Sequence, residues 1–165
     1  MARRPTCMEQ PHLITYPIFI RTCEDMDIKL EHADDSDGVI QSRLLQLLID
    51  DNTRKVGVKQ VDRSIICIRD PGSDEVRGGI WTEILFDWMY IEILFVPEEL
   101  RGKGIGSRLV RQVEDIAVEK GCVGVWLETF EFQAPEFYQR LGYEVFASLE
   151  DYPRQSRRFF LHKRF

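Results

Sequence analysis

Two parts of the sequence carry groups that could do chemistry. The first is "RGKGIG", Arg101 to Gly106, which sets three glycines at alternate positions among basic residues just before an amphipathic run. Glycine reaches backbone conformations closed to other residues and lets a ligand approach the main chain closely. Where a helix begins, its first N–H groups lack partners and the helix dipole favours an anion. The second is a pair of carboxylates on apolar segments, Glu92 in "WMYIEILFV" and Glu128 in "WLET". A carboxylate is costly to bury without a partner. Glu92 therefore faces a wet edge, pairs with an arginine, or accepts a proton in a reaction.

The glycine loop fails the two commonest phosphate patterns. A nucleoside-triphosphate loop needs GxxxxGK followed by Ser or Thr, whereas Lys103 is followed by Gly104. A dinucleotide fingerprint needs GxGxxG, whereas Gly102, Gly104 and Gly106 give GxGxG, and the chain is too short for two mononucleotide-binding halves. What remains is Arg101-x-x-Gly104-x-Gly106 between a strand and a helix, with a purely structural glycine connection as the alternative.

The elements that must position these groups follow from periodicity. "MDIKLEHA" alternates as a first strand, and Asp34, Asp35, Ser36 and Asp37 offer N-caps to a helix over about residues 37–50. "RSIICIRD" and "VRGGIWTEIL" read as a hairpin around "PGSDE". "WMYIEILFV" is nearly continuously apolar, as a central strand covered on both faces would be, and Pro97 ends it. Ile105, Leu109, Val110, Val113, Ile116 and Ala117 form a helical stripe that Gly121 closes, and "CVGVWLET" is the next strand, parallel to the one before the loop. "QAPEFYQRLGY" is a short helix with Pro135 in its first turn and Gly142 past its end. "YEVFA" and "RRFFLHKR" are two final strands. The three tryptophans, Trp81, Trp88 and Trp126, are expected in the core, and the charges of the last strand on a solvated face.

Composition narrows the function. With 44% hydrophobic and 30% charged residues the chain has an ordinary soluble balance. A net charge of −6 argues against a nucleic-acid partner, and no apolar run approaches a membrane span. Cys7, Cys23, Cys67 and Cys122 show no framework spacing, which points to free thiols and a cytoplasmic setting. His12, His32 and His162 make no metal-ligand pattern, so no metal is expected. Residues 1–25 read as an arm of unknown role, with "MARRPTC" too far from the short apolar "LITYPIFI" for a signal peptide. Residues 26–165 read as one domain.

Downstream stands Ala134-x-x-Phe137-Tyr138-x-x-x-Gly142-Tyr143. With this helix and the Arg101–Gly106 loop, correctly spaced on the expected elements, the sequence resembles the GNAT superfamily of N-acetyltransferases from about residue 26 to the end. The resemblance implies an α/β (α+β) fold: a GNAT-like mixed, mostly antiparallel central sheet of about six or seven strands with helices on both faces. It implies acetyl-CoA as acetyl donor and a small-molecule or protein amine as acceptor, and it is compatible with a homodimer. In the family the loop and helix start hold the pyrophosphate, here Arg101, Gly102, Lys103, Gly104, Ile105, Gly106 and Ser107. The pantetheine arm lies where two parallel strands splay, here along Leu94, Phe95 and Val96, with a backbone N–H near Phe95 toward the carbonyl oxygen.

Acetyl transfer needs a neutral amine, yet an alkyl amine has pKa near 10.4. Glu92 is the candidate base, through water. Glu128 is the rival base or the group that binds the amine as a cation. Tyr138 matches the family's general acid toward the departing thiolate, and a core aromatic is its structural alternative. The family's asparagine seven residues before the tyrosine is replaced by Glu131, leaving Gln133 as the amide for pantetheine. No cysteine is suitably placed for an acetyl-enzyme, so transfer is direct. The competing reading is a non-catalytic acyl-CoA-binding sensor or interaction module, which would need neither Glu92 nor Tyr138.

Overall fold

The computed structural model describes residues 28–57 and 61–165. Contacts divide the chain into two units, Met1–Leu47 and Leu48–Phe165, a boundary inside the first helix. The expected arm, residues 1–25, and the opening residues of the expected first strand lie outside the described residues. The rest of that strand, 28–33, is irregular, with Ile28 59% and Leu30 66% exposed. Alternation makes a strand only where one of the two faces is buried, and neither is buried here.

Helix α1 is Val39–Val56. Its first turn is capped by Asp35, whose carboxylate accepts from the N–H groups of Ile40 and Gln41, both at 2.7 Å. The helix runs six residues beyond the expected end because Asp51 pairs along it with Arg54 at 2.8 Å and Lys55 at 2.7 Å. Those two cations also suit the negative end of the helix dipole.

The second unit holds a six-stranded sheet: β1 Asp62–Arg69, β2 Val76–Leu85, β3 Trp88–Phe95, β4 Gly124–Phe130, β5 Glu144–Glu150 and β6 Arg157–Arg164. The spatial order is β1-β2-β3-β4-β6-β5. All pairs are antiparallel except β3–β4, which are parallel and joined through helix α2, Ile105–Glu119. A parallel neighbour needs such a crossover, and the sequence supplied the helix for it. Helix α3, Pro135–Arg140, follows β4.

The core lies between one sheet face and α2. Leu109, Val110, Val113 and Ala117 of α2 are buried with Ile80, Met89, Ile91, Val125, Leu127 and Leu161 of the strands. Strand period 2 then turns Trp88 and Tyr90, and likewise Trp126 and Glu128, to the other face. The tryptophans are thus not in the core: Trp126 stacks on Tyr90 with centroids 4.2 Å apart, and Trp88 on His162 at 6.0 Å. The last strand's charges are not merely solvated either. Arg157 pairs with Glu131, Arg158 with Glu128, and Lys163 with Glu114 at 2.9 Å.

Candidate active site

A bulge and a lost pairing make the site. Along β2–β3, Trp81 faces Ile93 and Thr82 faces Ile91, so Glu92 is an extra residue with no opposite number. The parallel β3–β4 ladder pairs Trp88 through Ile91 with Gly124 through Leu127 and stops there. Beyond it β3 stays on β2 as far as Phe95, and β4 stays on β6 as far as Phe130. The strands part, leaving main-chain groups of both without a partner across the gap. The opening is a cleft of about 800 Å³.

The structure brings almost all the expected residues to this cleft. Glu92, Leu94, Phe95 and Val96 line it from β3 and its end, and Glu128 lines it from β4. Gln133 and Tyr138 lie on the following loop and α3, and Arg101, Gly102, Gly104, Ile105, Gly106 and Ser107 on the loop and first turn of α2. Lys103 is the exception: it is exposed and does not line the cleft.

The loop suits an anion by its backbone. Gly104 is the N-cap of α2 at φ 76°, with no side-chain cap and no acidic residue in the first turn. The opening N–H groups of the helix are therefore not satisfied by the protein's own side chains. A Cβ at Gly104 would meet nothing within 4 Å, so what demands glycine is the left-handed backbone and not a neighbour. At Gly106 the reason is packing, since a Cβ there would sit 3.2 Å from Cζ of Phe137. Arg101 donates from Nε to the carbonyl of Val96 at 3.0 Å, which ties the loop to the end of β3.

Among the acids and bases, burial separates the roles. Tyr138 is 8% exposed, and burial pushes its phenol up to about 12. Its ring meets Phe137 edge-on at 4.9 Å and Tyr143 at 5.9 Å. Glu92 is exposed at the bulge. Glu128 is half-buried and already engaged, accepting from the Tyr90 hydroxyl at 3.2 Å and ion-paired with Arg158. Burial raises the Tyr90 phenol, and the charge of Glu92 adds to that, so Tyr90 stays a donor between the two carboxylates. Gln133 spends its Oε1 on the N–H of Phe130 at 2.9 Å and the Thr129 hydroxyl at 3.1 Å, leaving its amide NH₂ as the group it could offer a ligand. Glu131, where the family has asparagine, pairs with Arg157 instead.

Sequence reasoning missed Arg158 and Tyr90 as partners of Glu128, and Thr129, Phe132 and Arg140 as cleft residues. Nothing local marks Arg158, because its meeting with Glu128 depends on β6 pairing with β4. For Phe132 the sequence did hold a signal, a pair of aromatics flanking Glu131. Cys67 is exposed and Cys122 buried, and neither lines the cleft. Among the described residues, no group of three or more His, Cys, Asp or Glu side chains is placed to hold a metal ion. No described helix is long and apolar enough to cross a membrane.

Comparison with known proteins agrees with this geometry. The family model for the acetyltransferase (GNAT) family matches residues 32–143. The chain is 45% identical over 80 residues to a blasticidin-S acetyltransferase of Streptomyces morookaense, covering 48% of this chain and 59% of that protein. It is 34% identical over 77 residues to a thialysine N-epsilon-acetyltransferase of Sus scrofa, covering 43% of this chain and 45% of that one. The chain thus spans about half the length of these two relatives. An acetyltransferase structure from Bacillus cereus superposes with a TM-score of 0.72 at 29% identity, covering 84% of this chain and 98% of that one. By its sheet, its splayed strands, its glycine loop and these matches, the chain belongs to the GNAT family of acetyltransferases.

Proposed function

We propose that this protein transfers an acetyl group directly from acetyl-CoA to a primary amine, in the cleft between β3 and β4. The observation that carries the reading is the end of the β3–β4 ladder at Ile91 and Leu127, beside the bulged Glu92, with Tyr138 and the uncapped start of α2 on the same cleft. The cofactor fits this cradle: an anion suits the first-turn N–H groups, an extended arm suits the unpaired edge of β3, and the volume suits a large ligand. Residues Arg101 to Ser107, without Lys103, would hold the pyrophosphate, and Leu94, Phe95 and Val96 the arm, with Gln133 opposite.

Bound acetyl-CoA supplies the acetyl group as a thioester. Glu92 takes the proton of the incoming ammonium, through water, because it is the exposed carboxylate of the cleft. Glu128 orients the amine with its charge balanced by Arg158. Main-chain N–H groups near Phe95 serve the carbonyl oxygen. Tyr138 holds a proton at Oη toward the departing sulfur. Absence of either described cysteine from the cleft supports direct transfer. Free thiols at Cys67 and Cys122 support a reducing compartment, the cytoplasm. The relatives' names support a small-molecule amine as acceptor.

The test is a panel of primary amines with acetyl-CoA, read by release of free CoA thiol. Turnover with at least one amine, lost in Glu92→Gln at neutral pH, is expected. Tight acetyl-CoA binding with no turnover on a broad panel of small-molecule and protein amines would favour a sensor instead.

A further inference from the structure

The cleft continues onto an aromatic surface that the transfer chemistry leaves unused. Phe132, just past β4, lies flat against Phe130, with ring centroids 5.2 Å apart and planes 6° from parallel. Tyr152 tilts against the same Phe130 ring at 5.9 Å. Arg158 completes the group, its guanidinium carbon 5.1 Å from the centre of Phe130 and 5.6 Å from that of Tyr152, while it also pairs with Glu128. Phe130 is thus held from several sides, and it fixes the plane of Phe132.

Phe132 itself is 67% exposed and lines the cleft. A lone exposed phenylalanine needs no explanation. This one is a preoriented flat shelf on the wall of a cleft whose exposed carboxylate is Glu92 and whose second carboxylate, Glu128, is fixed by Arg158. Aromatic faces carry negative quadrupole density and attract stacked rings and delocalised cations. Resting on the proposed function above, we infer that Phe132 is an acceptor subsite. The acceptor is a primary amine tethered to a flat, π-conjugated group, either a guanidinium or a heteroaromatic ring. The amine goes to Glu92 and the flat group lies on Phe132.

Calorimetric titration of the full chain, saturated with CoA so that no turnover occurs, tests this with two matched pairs. Agmatine against 1,4-diaminobutane compares dications with and without a guanidinium. Tryptamine against hexylamine compares monocations with and without a ring. At least one flat member should bind about 3- to 10-fold more tightly than its partner, the range that stacking and cation–π contacts give. Phe132→Leu, which keeps an apolar side chain but not the plane, should erase that preference. A gain in the first pair identifies a guanidino acceptor, and a gain in the second a ring. The inference is overturned if neither flat amine is preferred, if no amine binds, or if the preference survives in Phe132→Leu. It is also overturned if that variant loses CoA affinity, which would assign the ring to the cofactor wall. Because binding is read without catalysis, an enzyme that acetylates none of the four amines would count against the proposed reaction and leave this comparison decisive.

Discussion

Replacing Tyr138 by Phe removes one hydroxyl and keeps a ring that is buried against Phe137 and Tyr143. Burial holds the phenol at about 12, while a thiol leaving group has a pKa of roughly 8.5. Complete proton transfer would then run uphill by roughly 3.5 pH units, or ~5 kcal/mol, which is as much as general-acid help usually returns. In the proposed reaction Tyr138 therefore acts by donating a hydrogen bond to the sulfur as charge develops there. Such a bond to a charged acceptor is worth roughly 1.5–3 kcal/mol, or about 10- to 150-fold. Tyr138→Phe should lower kcat by that factor and leave KM for acetyl-CoA and the melting temperature nearly unchanged. Since a phenol at about 12 stays protonated from pH 6 to 9, the loss should be the same across that range. The assay is a set of pH–rate profiles by thiol release, beside thermal melts. An unchanged kcat, a loss that varies with pH, or a fall in melting temperature without a fall in kcat would refute the reasoning.

Three further outcomes are expected. Glu92→Gln should depress turnover by about 10²-fold or more near pH 7 and recover toward the parent above pH 10, where free amine forms unaided; parallel profiles would exclude Glu92 as the base. Gly104→Val should keep the circular dichroism of the fold but lose acetyl-CoA binding by calorimetry, because the αL backbone at φ 76° penalises a β-branched residue and its side chain would enter the open space beside the helix start. Lys163→Met should cost about 3 kcal/mol, because it leaves the carboxylate of Glu114, 12% exposed, without its cation. That corresponds to roughly 6–12 °C in melting temperature, partly restored by adding Glu114→Gln.

Local chemistry made the loop and its flanks legible. The glycines, Pro97 and the stripe on α2 act within a few residues, so the boundaries of β2 and α2 followed from period alone. The site was legible where it is contiguous, along Glu92 to Ser107. It was not legible where it depends on strands meeting from far apart: Glu128 and Arg158 are thirty residues apart and join only because β6 lies beside β4. The tryptophans misled for a related reason. Apolar bulk says that a residue packs, but which sheet face it packs on is decided by register, and the buried face went to Met89, Ile91, Val125 and Leu127. The segment 28–33 shows the converse, a correct alternation with no buried face to make it a strand.

The bulge sets the two glutamates of one cleft in different surroundings. In an unbroken ladder residues 92 and 128 would be direct parallel neighbours, and two carboxylates side by side would each raise the other's cost of ionising. The extra residue at 92 breaks the register just where the strands part, so Glu92 is exposed while Glu128 stays in the β4–β6 ladder. Arg158 then compensates Glu128 from the neighbouring strand, and Tyr90 donates to it. In the proposed reaction Glu128, its charge balanced by the Arg158 guanidinium, is a fixed landmark for the cationic amine. On the proposed mechanism, the same inserted residue lies where the strands part to admit the cofactor and sets an exposed carboxylate there to meet the acceptor.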